Sequence, residues 1–242
     1  MFRFLIVAAG VPLFLLSVLG AHADGGALED RNKDGVIEVL AFGDSITYGV
    51  GDGIAPGTYV EGPLAHGAPR GWPLRLSGLL GISVINAGVP GEELVGVGTI
   101  GSGIDRFPGL VVGSSIDVVI IKEGANDSEH FVSARTYANT LQKAINVAVA
   151  EGKGVVLSTL APPTGSHAQF SGFTNAYSNS VRDLGLINAL PVVDIESVFY
   201  IACPELATCN YYNLPEGLHP NTLGYDAIAA EMAQALSSAV GD

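Results

Sequence analysis

The stretch VIEVLAFGDSI, residues 36–46, decides the fold because an apolar, β-branched run leads directly into residues that favour turns. A short continuous apolar run predicts a strand buried on both faces, as in a parallel sheet. Gly43, Asp44 and Ser45 then predict a turn that exposes the serine hydroxyl above the edge of the sheet. Taken alone, the three residues are explained equally well as ordinary turn residues.

The apolar pattern recurs four more times, and longer helical patterns lie between or after the apolar runs. The most regular helical pattern begins at Ser133, which can cap a helix that runs to about Glu151. This alternation predicts a three-layer α/β/α sandwich with a five-stranded parallel sheet. The predicted strands cover 36–42, 82–86, 117–121, 154–160 and 192–195, and the predicted helices cover 71–80, 133–151, 174–190 and 221–240.

Four Gly-rich stretches interrupt the alternation and are predicted to be loops, at 48–70, 89–115, 161–173 and 196–218. Loops this long in a compact domain are usually functional walls or lids, or else disordered. An open parallel sheet binds its ligand at the carboxyl ends of its strands, and three of these loops follow such ends or the motifs there. We therefore expect the functional site at that edge.

The N-terminus carries the pattern of a secretory signal peptide. Arg3 is followed by an uncharged apolar stretch and by the small-x-small triplet Ala21-His22-Ala23. A permanent membrane anchor is the alternative, since the stretch approaches the length needed to span a bilayer. We expect a signal peptide at 1–23, a polar N-terminal arm at 24–35 and one globular domain at 36–242, giving a secreted or periplasmic protein without stable membrane insertion after cleavage.

The charge balance is acidic, at −13 for the whole chain. Removal of residues 1–23 takes away one arginine and no acidic residue, which leaves −14. Phosphate binding needs a basic surface, so nucleic acid is excluded as a partner, and anionic membranes should repel the protein.

The two cysteines, Cys203 and Cys209, lie close together in the sequence. An oxidising compartment favours a disulfide between them, worth about 2 kcal/mol for such a small ring. Two unpaired buried thiols are the alternative. A metal site is not expected here, because there is no histidine between residues 168 and 218 to complete a ligand set.

Residues 30–35 match the opening of a calcium loop, with Asp30, Asn32 and Asp34 at alternate positions and Gly35 sixth. The twelfth position, where a bidentate glutamate belongs, is Ala41. The following residues also predict a buried strand, which leaves no exiting helix. We therefore expect a polar turn before the first strand.

Three further fragments, Asn86-Ala87-Gly88, Gly124-Ala125-Asn126-Asp127 and Glu216-Gly217-Leu218-His219, can complete a serine-hydrolase site around Ser45. A serine hydroxyl needs a neighbouring base to take its proton as it attacks, and a histidine held by a carboxylate does this well. Ser45, His219 and Glu216 can fill these three roles. His130, which follows Asp127 at the same spacing, is the rival histidine, and Asp194 is the alternative carboxylate.

A tetrahedral intermediate also needs hydrogen-bond donors aimed at its oxygen. The candidates are the backbone N–H groups of Ser45 and Gly88 and the side-chain amide of Asn126. Gly88 lacks a Cβ and so lets a substrate approach the main chain, although it is also explained as an ordinary strand-ending glycine. Asn126 is also explained as the first residue of an Asx turn.

The four fragments together, in this order, resemble the blocks of the SGNH (GDSL) hydrolase family, and the resemblance spans most of the chain after residue 23. It implies a flavodoxin-like α/β/α fold and hydrolysis of a lipid, aryl or carbohydrate acyl ester through an acyl-enzyme on Ser45, without a metal or another cofactor. The chain departs from the family at Glu216, where the family usually has aspartate. The charge is the same on one more methylene, so orientation of His219 should survive.

Two other functions fit the same fold. One is a non-catalytic module that binds carbohydrate or a surface, which would have no use for oxyanion donors. The other is an acyltransferase that passes the same acyl group to a sugar or lipid hydroxyl. Labelling of Ser45 by a fluorophosphonate separates the first from an esterase, and product analysis with a competing acceptor separates the second.

Overall fold

The computed structural model describes residues 27–53, 55, 70–98 and 100–238. The predicted signal peptide at 1–23 lies outside the described residues, as do most of the predicted loop at 48–70 and the end of the predicted C-terminal helix. Within the described residues, the predicted α/β sandwich is confirmed.

Five parallel strands form one sheet, in the order β2-β1-β3-β4-β5. In this order the chain first adds β2 on one side of β1 and then crosses to the other side to form β3. The carboxyl ends of β1 and β3 therefore flank the point where the direction of winding reverses, which is where open α/β sheets bind ligands. The strands are β1 (Glu38–Gly43), β2 (Ser83–Gly88), β3 (Val118–Lys122), β4 (Gly154–Ser158) and β5 (Val192–Val193).

Eight α-helices accompany the strands within the described residues, and short 3₁₀ turns cover Gly165–Phe170 and Leu206–Thr208. The predicted capping residue Ser133 accepts a hydrogen bond from the backbone N–H of Thr136, as an N-cap should. The helices are α1 (Ser45–Tyr48), α2 (Gly71–Leu80), α3 (Gly103–Val111), α4 (Ala125–Glu129), α5 (Ala134–Ala150), α6 (Ser171–Asn188), α7 (Ile195–Ala202) and α8 (Thr222–Ser238).

The two faces of the sheet pack into two separate cores. Along β1, Val39 and Ala41 belong to the core that includes α2, α7 and α8, whereas Leu40 and Phe42 belong to the core under α3, α5 and α6. This alternation follows from the two-residue period of a strand. Burial on both faces explains why β1 and β3 read as continuous apolar runs.

Two helices occupy stretches that were predicted to be loops. The helix α3 contains Pro108, Gly103 and Gly109, which favour a loop in the sequence. Its Phe107 is buried edge-on against Phe42, with ring centroids 4.9 Å apart. In α7, Asp194 caps the helix by accepting from the backbone N–H of Ser197, so the fifth strand ends at Val193 and not at Ile195. Tertiary packing stabilises α3 and an N-cap stabilises α7, although the local composition of both segments favours a loop.

Candidate active site

Ser45 stands at the start of α1, directly after β1. The side chain of Asp44 caps this short helix by accepting from the N–H of Ile46 at 2.8 Å. A Cβ added to Gly43 would lie 2.1 Å from Thr47 Oγ1 and 2.3 Å from the Lys122 carbonyl oxygen, so only glycine fits there. The turn therefore packs closely against β3. Ser45 is buried with 2% of its surface exposed, whereas the sequence analysis predicted an exposed hydroxyl.

Three side chains from the two ends of the described chain form one hydrogen-bonded series. Ser45 Oγ lies 2.8 Å from His219 Nε2, across a separation of 174 residues. His219 Nδ1 lies 2.7 Å from Glu216 Oε1. The carboxylate can only accept, so Nδ1 carries the hydrogen and Nε2 is left to accept the serine proton. The three side chains that the sequence analysis expects to act as nucleophile, base and orienting carboxylate are therefore in contact.

Glu216 is fixed by more than its contact with the imidazole. Its second carboxylate oxygen accepts from the backbone N–H groups of Leu218 at 3.0 Å and His219 at 2.9 Å. Burial alone would raise the pKa of Glu216, but the hydrogen bond and charge of His219 together with these amides outweigh it and hold the pKa below its ordinary value. The carboxylate is therefore ionised at neutral pH, as an orienting group must be.

The C-terminal helix and the segment before it secure the histidine. Asn213 donates from its side chain to the carbonyls of His219 and Pro220 at 3.2 and 2.9 Å. Tyr225, on α8, donates its hydroxyl to the Val50 carbonyl at 2.6 Å and so joins this helix to the segment that follows the serine. The two chain segments that carry Ser45 and His219 are thereby held together.

Gly88 and Asn126, the predicted oxyanion donors besides Ser45, follow the carboxyl ends of β2 and β3, the two strands that flank β1, and have partners of their own. The Asn126 amide donates one hydrogen to the Glu92 carbonyl at 2.7 Å and carries a second hydrogen that can donate to another group. The Gly88 N–H donates to Asn86 Oδ1 at 3.0 Å. A Cβ added to Gly88 would lie 2.1 Å from the Tyr48 nitrogen, so the glycine is required for packing against α1.

The turn after Gly88 brings a second glycine amide near Asn126. Glu92 N–H donates to the Val89 carbonyl at 3.1 Å, and Gly91 within this turn has a φ of 80°. Pro90 followed by a glycine with positive φ is typical of a type II turn. Because Asn126 binds the Glu92 carbonyl, this turn lies directly beside it. Sequence reasoning passed over Gly91, although the Pro-Gly pair was visible.

Asp127 fastens the following segment to the same edge. Its carboxylate accepts from the backbone N–H groups of Leu94 and Val95 at 2.8 and 2.9 Å. Burial is the largest influence on this group and raises the pKa of Asp127 to about 6, against the lowering effect of the two amides.

The rival residues lie elsewhere. His130 places Nδ1 2.8 Å from Glu93 Oε1, and about half of its side chain is exposed. Asp194 receives hydrogen bonds from Arg182 at 2.7 and 3.0 Å and caps α7. The carboxylate that meets His219 is that of Glu216.

Two buried ionisable side chains lie beside the turn that carries Ser45, and the sequence analysis did not identify them. Lys122, paired in register with Gly43, is fully buried, and among the described residues its Nζ has no hydrogen-bond partner. Burial lowers the pKa of Lys122, against the attraction of Asp44 and Glu123. Burial also raises the pKa of Glu123 well above its ordinary value. An apolar run that ends in lysine gave no sign of this burial.

Two more residues that sequence reasoning passed over contact Glu216 from the 3₁₀ turn at Gly165–Phe170. The Ser166 hydroxyl donates to the Glu216 carbonyl at 3.0 Å, and His167 Nδ1 lies 2.8 Å from the same oxygen. No carboxylate precedes His167 at the spacing that separates Glu216 from His219. Its partner is instead a backbone carbonyl 49 residues away, which local spacing cannot indicate.

The remaining predictions concern the disulfide, metals and the membrane. Cys203 and Cys209 are joined by a disulfide. In residues 30–35, the side chains of Asp30, Asn32 and Asp34 accept backbone N–H groups of the same turn. No cluster of three or more metal-binding side chains occurs within the described ranges. Across the same ranges, none of the helices combines the length and apolarity that crossing a bilayer requires.

Solved structures of other proteins share the fold. A lipase/acylhydrolase from Enterococcus faecalis superposes with a TM-score of 0.66 at 21% identity, over 85% of this chain and 98% of that one. An aryl esterase from M. smegmatis gives 0.64 at 20% identity, over 84% and 99%. A carbohydrate acetylesterase family member from Sinorhizobium meliloti gives 0.65 at 18% identity, over 86% and 100%. At these identities the likeness concerns the fold.

Sequence comparison adds the family. An arylesterase from Vibrio mimicus is 26% identical over 172 residues, which make up 69% of this chain and 78% of that protein. The family model of the GDSL-like Lipase/Acylhydrolase family matches residues 41–227, a range that includes Ser45, Asn126 and His219. The chain therefore belongs to the GDSL-like lipase/acylhydrolase family, the SGNH hydrolases, and is a carboxylic ester hydrolase.

Proposed function

We propose that this hydrolase cleaves its ester through an acyl-enzyme on Ser45. The observation that carries the proposal is the continuous series from Ser45 Oγ through His219 to Glu216, with contacts of 2.8 and 2.7 Å. Ser45 Oγ bonds to the acyl carbon while His219 Nε2 takes its proton. The tetrahedral intermediate then collapses, and the alcohol leaves with the proton from His219. Water repeats the sequence against the acyl-enzyme, which releases the acid and frees Ser45.

We assign the oxyanion to the N–H of Ser45, the second amide hydrogen of Asn126 and one glycine N–H. The Gly88 N–H serves only if the oxyanion displaces Asn86 Oδ1, which now accepts from it. The Gly91 N–H lies in the turn that Asn126 already binds through the Glu92 carbonyl, so it is the second candidate for this role. Each such donor is worth on the order of 3 kcal/mol of barrier height.

Aryl esters are the substrates to test first, because the Vibrio mimicus relative and the M. smegmatis structure are an arylesterase and an aryl esterase. Carbohydrate acetyl esters and lipid esters remain in the comparison, since the fold is shared with a carbohydrate acetylesterase family member. Transfer of the acyl group to a sugar or lipid hydroxyl is tested by product analysis with the acceptor present.

We propose an extracytoplasmic location, secreted or periplasmic. Two features support it: the signal-peptide pattern at 1–23 and the disulfide between Cys203 and Cys209. Structural disulfides persist in oxidising compartments and are rare in the cytosol.

Steady-state hydrolysis of nitrophenyl esters from acetate to laurate, alongside release of acetate from acetylated polysaccharides, tests the assignment. We expect Ser45→Ala to lower kcat at least about 10³-fold on every ester that the wild type cleaves. Ser180→Ala, on the outer part of α6, removes a serine hydroxyl that bonds only within its own helix and serves as the control. Wild-type turnover by Ser45→Ala would overturn the assignment.

A further inference from the structure

The backbone around Glu216 is hydrogen-bonded to a neighbouring segment that contributes no group to the proposed reaction. The N–H of Thr164 donates to the Gly217 carbonyl at 2.8 Å, and the N–H of Ser166 donates to the Pro215 carbonyl at 2.9 Å. The two backbones approach so closely that a Cβ on Gly165 would lie 2.2 Å from the Pro215 oxygen. The segments at 164–167 and 215–217 are therefore packed backbone against backbone.

The side chain of His167 adds one more hydrogen bond to this segment. Its Nδ1 lies 2.8 Å from the Glu216 carbonyl oxygen, which can only accept, so Nδ1 carries a hydrogen. On the other side of the ring, Nε2 lies 3.6 Å from the carboxylate of Glu129, a residue of α4. The imidazole thus lies between α4 and the Glu216 backbone, with 22% of its side chain exposed.

Support of the backbone matters more for a glutamate than for a shorter side chain. The Glu216 side chain has three rotatable bonds between its backbone and its carboxylate, and each bond gives the carboxylate freedom to leave the imidazole. Its second oxygen is tied to the amides of Leu218 and His219, which fixes the carboxylate relative to the backbone that follows. A shift of the Glu216 backbone would pull the carboxylate away from these amides and from His219 Nδ1.

We propose that His167 is a positioning residue that fixes the Glu216 backbone and thereby the carboxylate that orients His219. The inference rests on the proposed function of Ser45, His219 and Glu216. His167 Nδ1 also lies 3.9 Å from Glu216 Oε1, and within the described residues no hydrogen bond joins His167 to Ser45, so its effect passes through Glu216. Small displacements of a catalytic group reduce turnover strongly, by about 100-fold for 1 Å.

The test compares His167→Asn with His167→Gln and His167→Ala on a nitrophenyl ester that the wild type cleaves. Asparagine carries an amide nitrogen close to the position of Nδ1 and can still donate to the Glu216 carbonyl. Glutamine carries its amide one methylene further out, near the position of Nε2. We expect Ala and Gln to lower kcat about 10- to 100-fold with little change in KM, and Asn to stay within about threefold of the wild type.

A double-mutant cycle with Glu216→Gln shows whether His167 acts through Glu216. If it does, His167→Ala has little further effect on kcat once the Glu216 carboxylate is gone. Gln142→Ala removes the hydrogen bonds that Gln142 on α5 makes with Asn188 on α6. This variant controls for a general loss of stability and should leave kcat unchanged.

Two results would overturn the inference: wild-type kcat in both His167→Gln and His167→Ala, or losses from His167 and Glu216 that multiply independently. Should the alanine variant fail to fold, the Asn and Gln pair decides alone, since equal kcat values for the two would contradict a role for the Nδ1 donor. Failure of the proposed function is distinguishable, because it would appear as full activity in Ser45→Ala, whatever the His167 variants do.

Discussion

At the scale of single residues, the ionised state of Glu216 matters most for the proposed base. Its pKa lies below the ordinary 4.5, because the contacts with His219 and the two amides outweigh burial. A carboxylate with a lowered pKa stabilises the fold above its unfolded pKa, and this contribution is lost as the pH falls through the lower folded value. Between these two values, below about pH 4.5, the protein should lose both stability and the orientation of its histidine.

We predict that Glu216→Gln lowers kcat by about 10³- to 10⁴-fold, since a neutral amide neither stabilises the imidazolium nor enforces the tautomer. Rates on a nitrophenyl ester at neutral pH, with the melting temperature checked in parallel, measure this. Glu205→Gln, an exposed glutamate of the same region, is the matched control and should be neutral. Near-normal turnover in Glu216→Gln would remove this residue from the triad.

Asp127 should leave a signature in the pH dependence of stability. Its pKa rises from 3.8 to about 6 on folding, so its contribution is fully present below about pH 3.8 and is lost as the pH rises through about 6. A change of this size corresponds to about 3 kcal/mol. We predict that the free energy of unfolding of the wild type, relative to Asp127→Asn, falls by about this amount between about pH 4 and pH 7. Urea unfolding at several pH values measures it, and parallel profiles for the two proteins would contradict it.

At the scale of elements, the disulfide closes a short loop between α7 and the segment that leads to Glu216. Cys203 is the residue after α7, and both cysteines are buried in the core beside α8. We predict that replacing both cysteines with alanine lowers the free energy of unfolding by about 2 kcal/mol, because the unfolded chain regains the freedom of that loop. Reduction of the wild type should have a similar effect.

Denaturant unfolding of the double alanine variant and of the reduced wild type measures the disulfide contribution. The alanine variant serves as its own control for the reductant, since it has no cysteine to reduce. Equal stability of the oxidised wild type and the double variant would contradict the prediction.

Element types were predictable where burial and local pattern agree. The run at 36–42 and the helix capped by Ser133 were confirmed, because two-faced burial and an N-cap are visible in the sequence. The helix α3 was not predictable, since Pro108 and its glycines favour a loop and only the packing of Phe107 on Phe42 reveals the helix. The same holds for the site. The sequence blocks around Ser45 and His219 could be identified from local pattern, whereas the contact of His167 with the Glu216 carbonyl depends on tertiary structure.

At the scale of the whole molecule, the proposed export rests on the signal-peptide pattern at residues 1–23. We predict that the exported protein begins at Asp24, after cleavage behind Ala23, and carries one intact disulfide. Intact-mass measurement of the protein from the periplasm and from the medium, before and after reduction, tests both points. A full-length chain retained in the membrane fraction would favour the anchor interpretation instead.

The central claim is that the hydroxyl of Ser45 is activated by His219 and becomes acylated. Reaction with a fluorophosphonate probe, followed by digestion and mass spectrometry, tests it most directly. We predict one modified site per chain, on the peptide that contains Ser45, with labelling abolished in Ser45→Ala and strongly slowed in His219→Ala. Ester hydrolysis by a protein whose Ser45 stays unlabelled, or a label located on another residue, would contradict the claim.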